Sequence, residues 1–349
     1  MRRGFAVSLC ALSVTFCVAS GAASEQRPVR GRALAQPACP SAPPGARVAT
    51  GPGAGPEAGP GGGPDRDRPG LGAGQATAML DDLRGVLRLR FGSDDEQRLE
   101  DARRVARHIT VPVRLHVVTA GAVGRLSRAA LDRQIATLND AYGGRRGGAD
   151  TGVRFKLVAT DVTDNAAWFR APQRYERPMK AALGRGGAGT LNLYTAAGED
   201  DVLGFSTFPQ AYARDPGIDG VVVDHRTLPG GPLRHFGRGY TAVHEIGHWL
   251  GLLHTFENGC EEPGDGIADT PYEARPAAAC PAGRDSCEQP GYDPVHNFMD
   301  YGWDECMREF TGGQGRRIRA AWAAYRAPGR KSLRLPLTAT GARSVGGDR

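Results

Sequence analysis

His244-Glu245-Ile246-Gly247-His248-Trp249-Leu250-Gly251-Leu252-Leu253-His254 reads H-E-x-x-H-x-x-G-x-x-H. On a helix, residues four apart share a face, so His244 and His248 present two imidazoles to one point. Glu245 lies beside the first of them, within reach of a water at that point without having to be a ligand. Gly251 accepts the left-handed backbone that ends a helix and lets the chain turn. After that turn His254 approaches the same point from below, which a straight helix forbids. Three neutral imidazoles leave one position of a tetrahedral zinc open, as in a catalytic rather than a structural site. Trp249, Leu250, Leu252 and Leu253 supply an apolar face that buries the segment.

Further strings lie downstream. One is Asn297-Phe298-Met299-Asp300-Tyr301. With it come His254-Thr255-Phe256, the run Gly264-Asp265-Gly266-Ile267-Ala268-Asp269-Thr270-Pro271, and Cys306-Met307-Arg308-Glu309-Phe310-Thr311. Together these resemble the pappalysin family of metzincin zinc metallopeptidases, over about residues 109–326. The resemblance implies an α+β fold: a twisted mixed sheet with a backing helix and an active-site helix, above an irregular, disulfide-stapled lower subdomain. It also implies a substrate cleft along the sheet's edge strand and a preference for Arg or Lys near the scissile bond. It assigns zinc to His244, His248 and His254, the general base to Glu245, and an apolar floor under the histidines to Met299. Tyr301 resembles the tyrosine that in several metzincins ligates zinc at rest and then stabilises the oxyanion.

Residues 265–270 are rich in hard oxygen donors on a glycine-containing loop, which suits calcium better than zinc. Asp265, Asp269 and Thr270 are the candidate ligands, with Glu273 a weaker one, and an ordinary Asx-rich turn is the alternative. The resemblance likewise implies calcium close to the cleft. Cys260, Cys280, Cys287 and Cys306 allow three pairings by count alone. The resemblance implies Cys260 with Cys287 and Cys280 with Cys306. A second zinc on these cysteines lacks the C-x-x-C pairs such a site uses.

The folded region begins near Ile109, where Val111, Val113, Leu115 and Val117 alternate as in a strand with one buried face. Ser127 caps an expected helix to about Gly143, and strand-like runs follow at 153–162, 190–195, 202–208 and 220–224. The zinc helix starts near Tyr240, and a last helix spans about Thr311 to Tyr325. His108, His116, His225 and His235 show no ligand spacing and read as surface or core.

Residues 1–23 have the layout of a secretory signal, with Arg2 and Arg3 before an apolar run and Gly21-Ala22-Ala23 at the cleavage position. Fifteen of the 24 residues from Gly51 to Gly74 are Gly or Pro, too polar and flexible to fold alone. Residues 76–108 look helical, with Met79, Leu80, Leu83, Val86 and Leu87 on one side. Residues 24–108 are assigned to a pro-segment, 109–328 to the catalytic domain and 329–349 to a tail. Cys39 in the leader is a candidate ligand for the open zinc position, a switch that would keep a precursor latent. Arg103, Arg104 and Arg107 offer a self-processing site just before the folded domain.

The net charge of +6 and pI near 9.1 come almost wholly from arginine. No aromatic-interleaved basic stripe or nucleic-acid motif accompanies it, so the arginines read as solvated surface and basic leader. No apolar run in the body is long enough to span a bilayer. The sequence therefore points to a secreted zinc endopeptidase, acting on proteins or peptides and made as a latent precursor. A catalytically silent, zinc-containing binding module and a metzincin of another family are the alternatives. Glu245 argues against the first, because a structural site needs no base.

Overall fold

The computed structural model describes residues 71, 74–199 and 202–329. The signal segment, most of the Gly/Pro-rich stretch, Cys39 and nearly all of the tail lie outside them. In chain order come helices α1 (Gln75–Phe91) and α2 (Glu96–Asp101), strand β1 (Ile109–Thr119), α3 (Arg128–Tyr142) and β2 (Val153–Asp164). Two helices absent from the sequence reading follow, α4 (Ala166–Arg170) and α5 (Glu176–Leu183). Then come β3 (Leu191–Ala196), β4 (Gly204–Ser206), β5 (Val221–Asp224), α6 (Tyr240–Trp249) and α7 (Gly312–Ala321), the last running into a π-helical turn, Trp322–Arg326.

The sheet order is β2-β1-β3-β5-β4, parallel except for β4, which pairs antiparallel with β5. Strand β1 holds Val111, Val113, Leu115 and Val117 at or below 1% exposure, the period-two burial that fixes its register. Ser127 Oγ accepts from the Ala130 N–H and starts α3, which packs on the sheet and donates from Tyr142 Oη to the Val243 carbonyl of α6 at 2.8 Å. The backing helix thus locks the zinc helix against the sheet. Among the described residues none between Gly251 and Thr311 belongs to a helix or strand. This lower region is joined by the Cys260–Cys287 and Cys280–Cys306 disulfides.

The arginine reading needs correction near the C-terminus. Arg326 is fully buried, and Arg317 and Arg319 are 7% and 8% exposed. Arg326 stacks 3.6 Å from the Trp249 ring centroid and pairs with Asp219. Arg317 and Arg319 pair with Glu96 and Glu100 of α2. Each buried charge has a counterion, the condition under which burial is tolerated. Helices α1 and α2 are therefore docked. Leu83, Val86, Leu87, Leu99 and Val105 form one buried cluster with Ala320, Ala321, Ala323 and Ala324, and Tyr325 Oη donates to Asp82 at 2.7 Å.

Candidate zinc site and catalytic cleft

Helix α6 carries His244, Glu245 and His248, all 6% exposed or less. Gly251, at φ 101°, then turns the chain, and the Leu252 N–H returns to the Gly247 carbonyl at 2.9 Å. A side chain at Gly251 would also meet Ala321 Cβ at 2.8 Å. The turn brings His254 back under the helix, and among the described residues only His244, His248 and His254 form a group of three or more His, Cys, Asp or Glu with converging ligand atoms. The His248 Nε2 lies 3.1 Å from both His244 Nε2 and His254 Nε2.

The outer ring nitrogens decide what this group can hold. His244 Nδ1 donates to the Phe298 carbonyl at 2.7 Å, and His248 Nδ1 to the Leu252 carbonyl at 2.8 Å. His254 Nδ1 faces Glu257 Oε2 at 3.3 Å. These acceptors place the protons on Nδ1 and leave three Nε2 lone pairs aimed at one another. Three lone pairs within 4.8 Å of one another, two of the separations being 3.1 Å, repel unless a cation sits among them, so the donor set fits a zinc ion.

The lower region supplies the rest of the surround. Met299 lies under the helix, so close that a Cβ on Gly247 would stand 2.3 Å from its Sδ. The turn that holds it is tied by Asn297 Oδ1, which accepts from the Met299 N–H, and by Asp300 Oδ1, which accepts from the Ala277 and Tyr301 N–H groups. Tyr301 Oη is 3.4 Å from His254 Nε2. Phe256 stacks on His254 at 4.5 Å, and Phe208 lies 5.1 Å from His248. Glu245, 1% exposed, accepts a 2.9 Å hydrogen bond at Oε2 from Ser206 Oγ. Beside it opens a small pocket bounded by Leu203, Tyr240, Tyr301, Met307, Asp300 and Asp304.

The candidate calcium residues do not all converge. Thr270 Oγ1 donates to Asp265, 2.8 Å from both carboxylate oxygens, and the Ile267 N–H donates to the same carboxylate. Burial raises the Asp265 carboxyl to about 7. Asp269 instead accepts from Thr311 Oγ1 and the Gly313 N–H at the start of α7, where a helix offers unpaired donors. Glu273 accepts from Thr255 Oγ1 and pairs with Arg284. Burial, with the Asp300 charge near it, pushes its carboxyl up.

Three residues escaped the sequence reading. Gly247 had a signal, a poor helix former inside a helix, which marks a close approach. Ser206 and Glu257 had none.

A buried zinc-type histidine triad, two members on a helix and the third beyond its glycine turn, a methionine turn beneath it and a mixed sheet above define a metzincin-type metallopeptidase. A family model for the M43 peptidases, described as pregnancy-associated plasma protein-A, matches residues 191–323. An extracellular metalloprotease of Neurospora crassa is 43% identical over 226 residues, covering 63% of this chain and 76% of that protein. One of Verticillium alfalfae is 44% identical over 228 residues, covering 63% and 78%. Mature mirolysin of Tannerella forsythia, solved with a cleaved peptide, superposes with a TM-score of 0.55 at 26% identity, over 63% of this chain and 96% of that one. The chain belongs to the M43, or pappalysin, family of metallopeptidases.

Proposed function

We propose that the protein is an exported zinc endopeptidase in which Glu245 is the general base, made as a latent precursor. The observation that carries this reading is the convergence of three Nδ1-protonated imidazoles at one point with a buried carboxylate on the next residue of the same helix. Zinc held by His244, His248 and His254 supplies Lewis acidity toward a peptide carbonyl and toward water. Glu245 takes the proton of the attacking water and delivers it to the leaving amine. Tyr301 Oη, 3.4 Å from His254 Nε2, donates to the oxygen on which charge develops. Asp300 and Asp304, both buried in the wall of the adjoining pocket, favour a cationic side chain there, in line with Arg or Lys near the scissile bond.

The relatives' names place those proteins outside the cell, and the expected signal in residues 1–23 gives this chain the same destination. The pro-segment of 24–108 and the catalytic domain of 109–328 remain the proposed division, with Cys39 as the candidate switch. A cut at Arg103, Arg104 or Arg107, all exposed between α2 and β1, would leave α1 and α2 held by their buried contacts rather than by the chain. Calcium at the loop of Asp265 and Thr270, with Asp269 acting through α7, is part of the same reading. A hard cation would keep ionised a carboxylate that burial pushes toward neutrality.

One experiment addresses these roles together. Cleavage of a peptide library by the mature protein should fall by about 10²- to 10⁴-fold in Glu245→Ala with zinc content unchanged. After chelation, zinc should restore activity, and calcium but not zinc should restore the melting temperature of the loop region. Peptide cleavage by Glu245→Ala at the parent rate would overturn the reading.

A further inference from the structure

We infer that Ser206 is a positioning residue for Glu245, carried on the edge strand so that a substrate laid along that strand meets a base already aimed. The inference rests on Glu245 being the base proposed above.

Strand β4 is three residues long, and alternate residues of a strand face the same side. Its two end residues both turn to Glu245. Ser206 Oγ donates to Glu245 Oε2 at 2.9 Å. At Gly204 a Cβ would stand 2.8 Å from Glu245 Cγ and 3.0 Å from its Oε1. The residue between them, Phe205, points the other way and packs with Val118, Met179 and Tyr194. One whole face of the strand is thus given to a single side chain, a bare glycine against its stem and a hydroxyl on its head.

The hydroxyl stands on a fixed support. Thr207 Oγ1 donates to Asp219 Oδ1 at 2.9 Å and accepts from the Gly220 N–H at 3.1 Å. Asp219 also accepts from Trp249 Nε1, at the C-terminal end of α6, and pairs with buried Arg326. The same carboxylate therefore fixes the distance between β4 and α6 from both sides. A glutamate has three side-chain torsions, and a charge-assisted hydrogen bond to one carboxylate oxygen selects one setting. With Oε2 held by Ser206 and the stem lying against Gly204, the carboxylate is confined to one setting beside β4. Loss of the hydroxyl lets the carboxylate sample other settings, which lowers the fraction of encounters with a correctly placed base. Binding along the strand's backbone is untouched.

The test compares Ser206→Ala with the parent enzyme, both loaded with zinc, and each again in a Glu245→Gln background. Ser206→Ala should lower kcat by about tenfold with KM within about twofold, zinc content and melting temperature staying at the parent values. In the Glu245→Gln background the same change should leave the residual rate unaltered, because the residue it positions is gone. A crystal structure of Ser206→Ala should show Glu245 out of its parent rotamer. A parent-like kcat in Ser206→Ala, a loss that appears in KM, or an equal further loss in the Glu245→Gln background would each overturn the inference. If Glu245→Gln itself cleaves at the parent rate, the base assignment falls instead.

Discussion

Between Ile109 and Leu250 the chain builds five strands and places His244 and His248 four residues apart on a helix buried along its whole length. Between Gly251 and Thr311 it places His254, Met299 and Tyr301 without a helix or strand, through two disulfides and turns closed by Asn297 and Asp300. The zinc position is the seam between these halves. In the upper half a side chain's place follows from its period in an element, and neighbours share the load. In the lower half it follows from a few specific pairings, each carrying a larger share of a smaller structure. The same metal site should therefore fail globally when the upper half is damaged and locally when the lower half is.

The largest expected stability effect is at the buried charge pair that closes the upper half. Asp219→Ala leaves the Arg326 guanidinium buried without its counterion, at a cost of about 3–5 kcal/mol. Because Asp219 also holds Trp249 Nε1 and Thr207 Oγ1, the loss should appear as one cooperative shift in urea unfolding. A separate early transition confined to the last helix would break the proposed division.

Next is the lower half. Replacing both Cys280 and Cys306 by Ala opens a loop with a sequence separation of 26 residues and should cost about 3 kcal/mol. Hydrogen exchange should rise between residues 255 and 310 while β1 and β3 stay protected, and zinc should be lost at lower chelator concentration. Exchange rising equally across the sheet would mean that the halves are one unit.

The division also explains what the sequence could tell. The histidine string was legible because metal chemistry restricts residue types at fixed spacings, and the methionine turn was legible only through the family resemblance. The strands and the zinc helix were legible through their periods, to within a few residues. Asp265 and Asp269 looked equivalent, yet Asp269 is drawn away by the open N–H groups of α7, a demand set by a helix more than 40 residues on. The amphipathic pattern of α1 showed an apolar face but not what covers it. Arg326 looked like solvated charge because its counterion, Asp219, lies 107 residues earlier. The Ser206–Glu245 contact likewise spans 39 residues and depends on which way a three-residue strand faces. Contacts of this kind follow from the fold, not from any local pattern.

The smallest expected effect sharpens the upper half's side of the comparison, because it removes a pairing where the sheet already carries the load. Asp224 ends β5 and accepts from the Arg226 N–H at 2.8 Å and from its guanidinium. Burial of the carboxyl pushes its pKa up, but the hydrogen bonds from His225 and Arg226 outweigh that and hold it well below the usual carboxylate range. A carboxyl whose pKa is lower folded than unfolded binds fewer protons when folded. It adds stability above its unfolded pKa of about 4, and that stability drains away as pH falls toward the folded value. Asp224→Asn should therefore cost about 1 kcal/mol at pH 7, Arg226 being partly exposed. The difference from the parent should shrink between pH 4 and pH 2 in urea midpoints taken along that range. A difference that stays constant with pH would assign the effect to packing at the end of the strand rather than to the charge.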